Sequence, residues 1–143
     1  MIIVDVTLLI YAVNEDSPDH MKAKSWLEAA ISGTETVGLP WIILLAFLRL
    51  TTRTAFFQRP LTVNAAFDLV DAWLDQPSVT VPEPTTRHLR TMRDLISPLG
   101  TAGNLTSDAY LAALAIEHGA ELCSADNDFG RFSRLRWRNP LLG

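Results

Sequence analysis

Four short strand-like runs punctuate the chain, and each is followed by segments with helical spacing. The runs are Ile2-Ile3-Val4, Val37-Gly38-Leu39, Val79-Thr80-Val81 and Glu121-Leu122-Cys123. Apolar runs this short, bounded by turn residues, suit strands buried on both faces. Strands that alternate with helices form a parallel sheet, because each crossover must carry the chain back to the starting edge. The chain is therefore expected to be α/β, with helices on both faces of one parallel sheet.

The intervening segments carry helix signals. Ser17 and Pro18 precede Ala23, Trp26, Leu27, Ala30 and Ile31, and Gly33 closes that stretch. Trp41 to Thr52 is a strongly apolar helix after Pro40, with Arg49 and Arg53 four apart on one face. Thr62 is placed to cap Val63, Ala66, Phe67, Val70 and Trp73. Thr85 or Thr86 is placed to cap a helix through Leu89, Met92 and Ile96, with Arg87, Arg90 and Arg93 on its outer faces. Thr106 is placed to cap a nearly all-apolar helix from Ser107 to His118, which Gly119 ends.

A chain of 143 residues suits one domain spanning 1–143, with no repeat or internal boundary. Apolar residues make up 48%, enough for a single core. The net charge of −4 argues against wholesale electrostatic binding of nucleic acid and leaves room for a local basic patch. The twelve basic residues are all Arg apart from Lys22 and Lys24, and arginine suits bidentate phosphate contacts. The single Cys123 excludes an internal disulfide and reads as a packing residue. No leader pattern is present, and the longest apolar run, Leu39 to Leu48, falls short of the roughly 20 residues of a membrane span. The expectation is a soluble, cytoplasmic protein.

In open α/β sheets, ligands bind at the carboxyl ends of the strands. Asp5 follows the first strand there, and Asp126 with Asp128 follows the last. Asp108 sits in the first turn of an otherwise apolar helix, where the dipole favours a carboxylate. Converging aspartates without a basic partner repel one another. A divalent cation resolves that, and hard oxygen ligands suit magnesium or manganese. Such a site supports phosphodiester hydrolysis. Each aspartate also has a plainer use, as a helix cap or a dipole complement. The three positions together carry the metal reading.

The motifs Ile2-Ile3-Val4-Asp5, Leu8-Leu9-Ile10-Tyr11-Ala12, Ser107-Asp108-Ala109 with Leu111 to Ala115, and Ser124-Ala125-Asp126 with Asp128-Phe129 resemble a VapC-type toxin of the PIN-domain ribonuclease family. Pro40-Trp41, Phe47-Leu48-Arg49 and the closing Arg136-Trp137-Arg138-Asn139-Pro140 strengthen the likeness, which covers essentially the whole chain. The resemblance implies a PIN-like three-layer fold with four to five short strands. It implies a magnesium-dependent endoribonuclease (manganese as substitute), the toxin of a toxin–antitoxin pair, acting on tRNA or rRNA. It also implies a homodimer and a cognate antitoxin that docks over the acidic cleft. Asp5, Asp108 and Asp126 carry over as catalytic metal ligands, and Asp128 matches a more variable acidic position.

The likeness departs at two places. Relatives read Leu-Leu-Glu-Phe-Leu-Arg-Leu where this chain has Leu44-Leu45-Ala46-Phe47-Leu48-Arg49-Leu50, so Ala46 stands where the family has an acid. An engineered substitution and a natural degenerate copy both account for it. The position two after the first aspartate is Thr7 here instead of Asn or Ser. Thr7, Arg49, Arg53, Arg131 and Arg134 are the substrate-binding candidates, with Arg59, Arg136 and Arg138 also near the cleft or the last motif. Trp26, Trp41, Trp73 and Trp137 read mostly as core, and an exposed one would mark a docking surface. His20, His88 and His118 show no metal-ligand spacing.

Two rival readings accompany this one. A haloacid-dehalogenase-type aspartyl-phosphate hydrolase would use Asp5-Val6-Thr7 and Asp126-Asn127-Asp128, but it needs a later lysine than Lys22 or Lys24. A catalytically silent protein of the same fold would bind antitoxin or RNA without cutting, and Ala46 favours it.

Overall fold

In the computed structural model, which describes residues 1–55 and 57–142, five strands form one all-parallel sheet. They are β1 (Ile2–Val4), β2 (Val37–Gly38), β3 (Val79–Thr80), β4 (Glu121–Cys123) and β5 (Trp137–Arg138). Their spatial order is β3-β2-β1-β4-β5. Six helices connect and flank them: α1 (Val6–Val13), α2 (His20–Ser32), α3 (Trp41–Thr51), α4 (Val63–Leu74), α5 (His88–Ile96) and α6 (Thr106–Glu117). The expected PIN-like α/β architecture is present.

Burial explains the sequence pattern. Ile2, Ile3 and Val4 of the central strand are all buried, so both sheet faces are covered. The core runs through Leu8, Leu9, Leu44, Phe47, Leu111, Leu114 and Leu122. Phe47 meets Trp73 edge-on, with ring centroids 4.9 Å apart, a geometry that aromatic quadrupoles favour. At Gly38 a Cβ would stand 3.0 Å from both Ile3 and Pro82, so the close approach of Pro82 to β2 depends on a bare backbone. Cys123 is buried, and burial pushes its thiol up to about 11.

Several local expectations need correction. No side-chain cap comes from Ser17: Asp19 flanks the start of α2, and the Ser17 hydroxyl instead accepts from the Asp19 amide. Thr85 accepts from the Arg87 amide one turn before α5, which Arg87 flanks uncapped. Thr106 opens α6 instead of capping it, and its hydroxyl donates to Gly103 O. Thr62 does cap α4, accepting from the Ala65 amide. Gly119 follows α6 with a φ of 61°, the left-handed conformation that favours glycine. Arg53 falls beyond the end of α3, because Thr51 and Thr52 donate back to Phe47 O and Leu48 O and close the helix.

Helix α1 has no counterpart among the sequence signals. Val6, Thr7, Ile10 and Val13 are β-branched and disfavour a helix intrinsically, yet Leu8, Leu9 and Ala12 are buried. Burial outweighs local preference there. Trp41 is 51% exposed and does not belong to the core. Among the described residues no helix is long and apolar enough to cross a membrane.

Candidate metal site at the carboxyl edge of the sheet

The strand order reverses direction between β1 and β4. The chain builds outward from β1 to β2 and β3, then returns to add β4 and β5 on the other side. A crevice opens at the carboxyl ends where such a reversal occurs. Val4 pairs with Cys123 in register, so the next residues, Asp5 and Ser124, emerge side by side.

Ser124, fully buried, donates from Oγ to Asp5 Oδ2 at 2.6 Å. The same Oγ accepts the Asp126 amide at 3.0 Å. Thr7 Oγ1 donates to Asp5 Oδ2 at 3.2 Å and accepts the Ala125 amide at 3.3 Å. Two hydroxyls thus tie the first aspartate to the turn that carries the last. Thr7, expected to meet substrate, has its hydroxyl committed to Asp5 and Ala125. The sequence alone does not single out Ser124 as a site residue. Its only signal was its place directly after a strand, in the same motif as Asp126.

Asp5 is buried and its carboxyl is raised above the ordinary range. Burial is the main cause and the Asp126 charge adds to it, while hydrogen bonds from Ser124, Val6 and Thr7 oppose it. Asp108 is raised to about 6, first by burial and then by the charges of Asp126 and Asp5, while Arg131 opposes. Asp5 and Asp108 therefore both lie within reach of the Asp126 charge. Asp126 Oδ1 accepts the Asp128 amide at 2.8 Å and caps the short turn Asn127–Arg131. The plainer use of Asp126 as a cap and its place beside the other acids coexist.

Arg131, a substrate-binding candidate in the sequence, stands at this cluster. Arg131 Nη2 lies 3.1 Å from Asp128 Oδ1, and its Nε donates to Asp128 O. A small cavity, about 130 Å³, lies beside the acids and is lined by Asp5, Ile42, Ala46, Arg49, Ser107 and Asp108, among others. Ala46 and Arg49 of α3 thus face the two buried-side aspartates. Several other arginines have partners of their own. Arg134 lies 3.9 Å from Asp94 on α5, Arg136 donates to Gly119 O, and Arg138 pairs with Glu121 at the far end of β4. Arg59 pairs with Asp16 at 2.9 Å, beyond the opposite end of α1.

The donor chemistry fits a hard divalent cation: Asp5, Asp108 and Asp126 supply hard carboxylate oxygens at one edge, and a cation there would offset their mutual repulsion. As the side chains lie, no group of three His, Cys, Asp or Glu among the described residues is close enough to enclose an ion. Lys22 and Lys24 sit on α2, exposed, with Lys24 4.0 Å from Glu28. No lysine therefore faces Asp5 to steady a phosphoryl group.

Known proteins match this chain in sequence and in fold. A family model described as PIN domain matches residues 2–135. Ribonuclease VapC37 of Mycobacterium tuberculosis is 46% identical over 140 residues, covering 98% of this chain and 97% of that protein. The structure of VapBC2 from Rickettsia felis bound to a DNA fragment from its promoter superposes with a TM-score of 0.68 at 18% identity, covering 97% of this chain and 98% of that one. VapC20 of Mycobacterium tuberculosis, a Sarcin-Ricin loop cleaving toxin, gives 0.64 at 19% identity, covering 95% and 99%. At such identity these two structures establish a shared fold.

Proposed function

The chain belongs to the PIN-domain family, and from that premise we propose that it is the endoribonuclease toxin of a toxin–antitoxin pair. It hydrolyses phosphodiesters of structured RNA, tRNA or rRNA, with magnesium at Asp5, Asp108 and Asp126, and manganese as substitute. One observation carries the reading: Asp5 and the Asp126 turn are joined through Ser124 at the crevice where strand order reverses, with Asp108 within electrostatic reach of both. The extensive identity with Ribonuclease VapC37 supports the activity.

Magnesium, when bound, would stabilise charge on the phosphate and make an attacking water more acidic. The protein's own residues prepare the ground. Ser124 and Thr7 both donate to one Asp5 oxygen and hold the carboxylate in one orientation. Burial of Asp5 keeps bulk water from screening the site. Asp128, paired with Arg131, serves as an auxiliary acid on the rim. Arg49 in the cavity wall is placed to hold a phosphate oxygen, and Arg53 and Arg134 are further candidates for the same role. In the reaction, water adds to phosphorus, one P–O ester bond breaks, and the departing oxygen takes a proton.

A cognate antitoxin, a homodimeric state and a cytoplasmic location complete the proposal. The antitoxin is supported by the likeness to a solved VapBC assembly.

A second reading is favoured by Ala46, whose methyl lines the cavity beside Asp5 and Asp108. Lacking an acid there, the chain would bind RNA or antitoxin while cutting poorly. RNA cleavage with magnesium, comparing this chain with Ala46→Glu on total tRNA and rRNA, separates the two. Cleavage by the variant at least about 100-fold faster is the expected result, since positioned acids supply rate of that order. If both proteins leave all RNA intact, the endoribonuclease reading fails.

A further inference from the structure

Helix α5 carries a stripe of arginine that the acidic site does not use. Thr86, Arg87, Leu89, Arg90 and Arg93 line one open groove of about 470 Å³. Arg87 and Arg93 are six residues apart, so the stripe spans about 9 Å of helix. Arg87 Nη2 donates to Glu117 O at 3.3 Å. Among the described residues, the guanidinium groups of Arg90 and Arg93 make no hydrogen bond or ion pair. An acidic protein thus holds exposed guanidinium groups together on one helix.

One end of the stripe lies toward the acidic edge. His88 at the start of α5 pairs with Glu117 at the end of α6, so the two helices run antiparallel. The Arg93 end of α5 therefore lies toward the end of α6 that bears Asp108. Arg134 meets Asp94 there, and Arg131, three residues earlier, meets Asp128 in the acidic cluster. Basic groups follow one another from the cluster to the groove.

We propose that Arg87, Arg90 and Arg93 form a track for the phosphate backbone of the RNA whose cleavage the acidic edge performs. A cluster of carboxylates repels a polyanion, so holding RNA against it requires positive charge along the flanking strand. Arginine grips phosphate bidentately and without reading sequence. An acidic protein partner would fit the same charges less well, because the groove offers Leu89 alone as an apolar anchor. The track rests on the ribonuclease reading of the site.

The test is binding of total tRNA by fluorescence anisotropy in EDTA, across salt concentrations. Arg90→Glu with Arg93→Glu should weaken binding at least about tenfold at 0.1 M salt and flatten the log–log salt slope by about 1.5, the equivalent of two phosphate contacts. Arg90→Gln with Arg93→Gln should show a smaller loss in the same direction. Lys22→Glu with Lys24→Glu on α2 makes the same change in net charge and should alter binding less than about threefold. Melting by circular dichroism confirms that each variant is folded. Equal losses in the α2 and α5 variants, or none in either, overturn the track. So does polyglutamate that competes as well as tRNA, which would assign the groove to an acidic protein. Undiminished tRNA binding by the α5 variants, with Ala46→Glu still cutting RNA, overturns the track alone; no binding by any form and no cutting overturns both.

Discussion

Ser124 Oγ and Asp5 Oδ2 lie 2.6 Å apart although the residues are 119 positions apart in sequence. The bond forms because β1 and β4 pair in parallel, Val4 against Cys123, and both strands stop at the same edge. One buried hydroxyl then orients the Asp5 carboxylate and accepts the Asp126 amide. A group that orients metal-ligating side chains in this way commonly matters almost as much as the ligands.

Replacing Ser124 with alanine removes both bonds. The expected cost is about 1–3 kcal/mol of stability, because the Asp126 amide and Asp5 lose a partner in a buried place. Metal affinity should fall about 10–100-fold. The Asp5 carboxyl should titrate higher still, since the Ser124 bond is what lowers it most. An unchanged Asp5 midpoint by carbon-detected NMR would contradict this role for Ser124.

Asp108 makes stability depend on pH in a sign that is easily checked. Its folded carboxyl is raised to about 6 from 3.8, by burial first and then by Asp126 and Asp5. Below 3.8 the group is protonated in both states and costs nothing. As pH rises through 6 the folded state must carry a charge it disfavours, while the unfolded state carries it freely. Without metal, Asp108→Asn should therefore raise Tm at pH 7.5 and leave it nearly unchanged at pH 3.5. A variant that melts lower at pH 7.5 would show that Asp108 is not a strained carboxylate.

Much of this arrangement was legible in the sequence. Ile2-Ile3-Val4 ending at Asp5 announced a strand with an acid at its carboxyl end, and the helix with Asp108 announced itself by its apolar run. What was not legible depends on long-range pairing. Ser124 looks like any serine until the register of β1 and β4 sets it beside Asp5. Helix α1 is built from residues that prefer strands and forms because Leu8 and Leu9 are buried. Arg138 reads as a cleft residue, yet Glu121, invisible as a partner in one dimension, holds it at the start of β4.

Glu117 locks α5 to α6. Its side chain is 1% exposed and accepts from Thr85 N at 2.9 Å, from the Thr85 hydroxyl and from His88 Nδ1. Burial raises its pKa, but the bonds from Thr85 and His88 outweigh that and hold it below the usual value. Its contribution is complete above the ordinary carboxylate range and is lost as pH falls through the depressed folded pKa. Glu117→Gln should cost about 2–4 kcal/mol at pH 7, with the gap narrowing below pH 4. Urea melts at pH 7 and pH 3.5 measure both; a gap that widens in acid would contradict the assignment.

The central claim is that Asp5, Asp108 and Asp126 hold one divalent cation. Its most direct measurement is the Tm of the RNA-free protein as manganese is added at constant ionic strength and pH 7.5, for this chain and for Asp5→Asn, Asp108→Asn and Asp126→Asn. Binding to the folded state alone raises Tm with concentration. A saturable rise is expected in this chain, and each substitution should weaken it at least about tenfold in midpoint concentration. No rise in this chain, or the same rise in all four proteins, would contradict it.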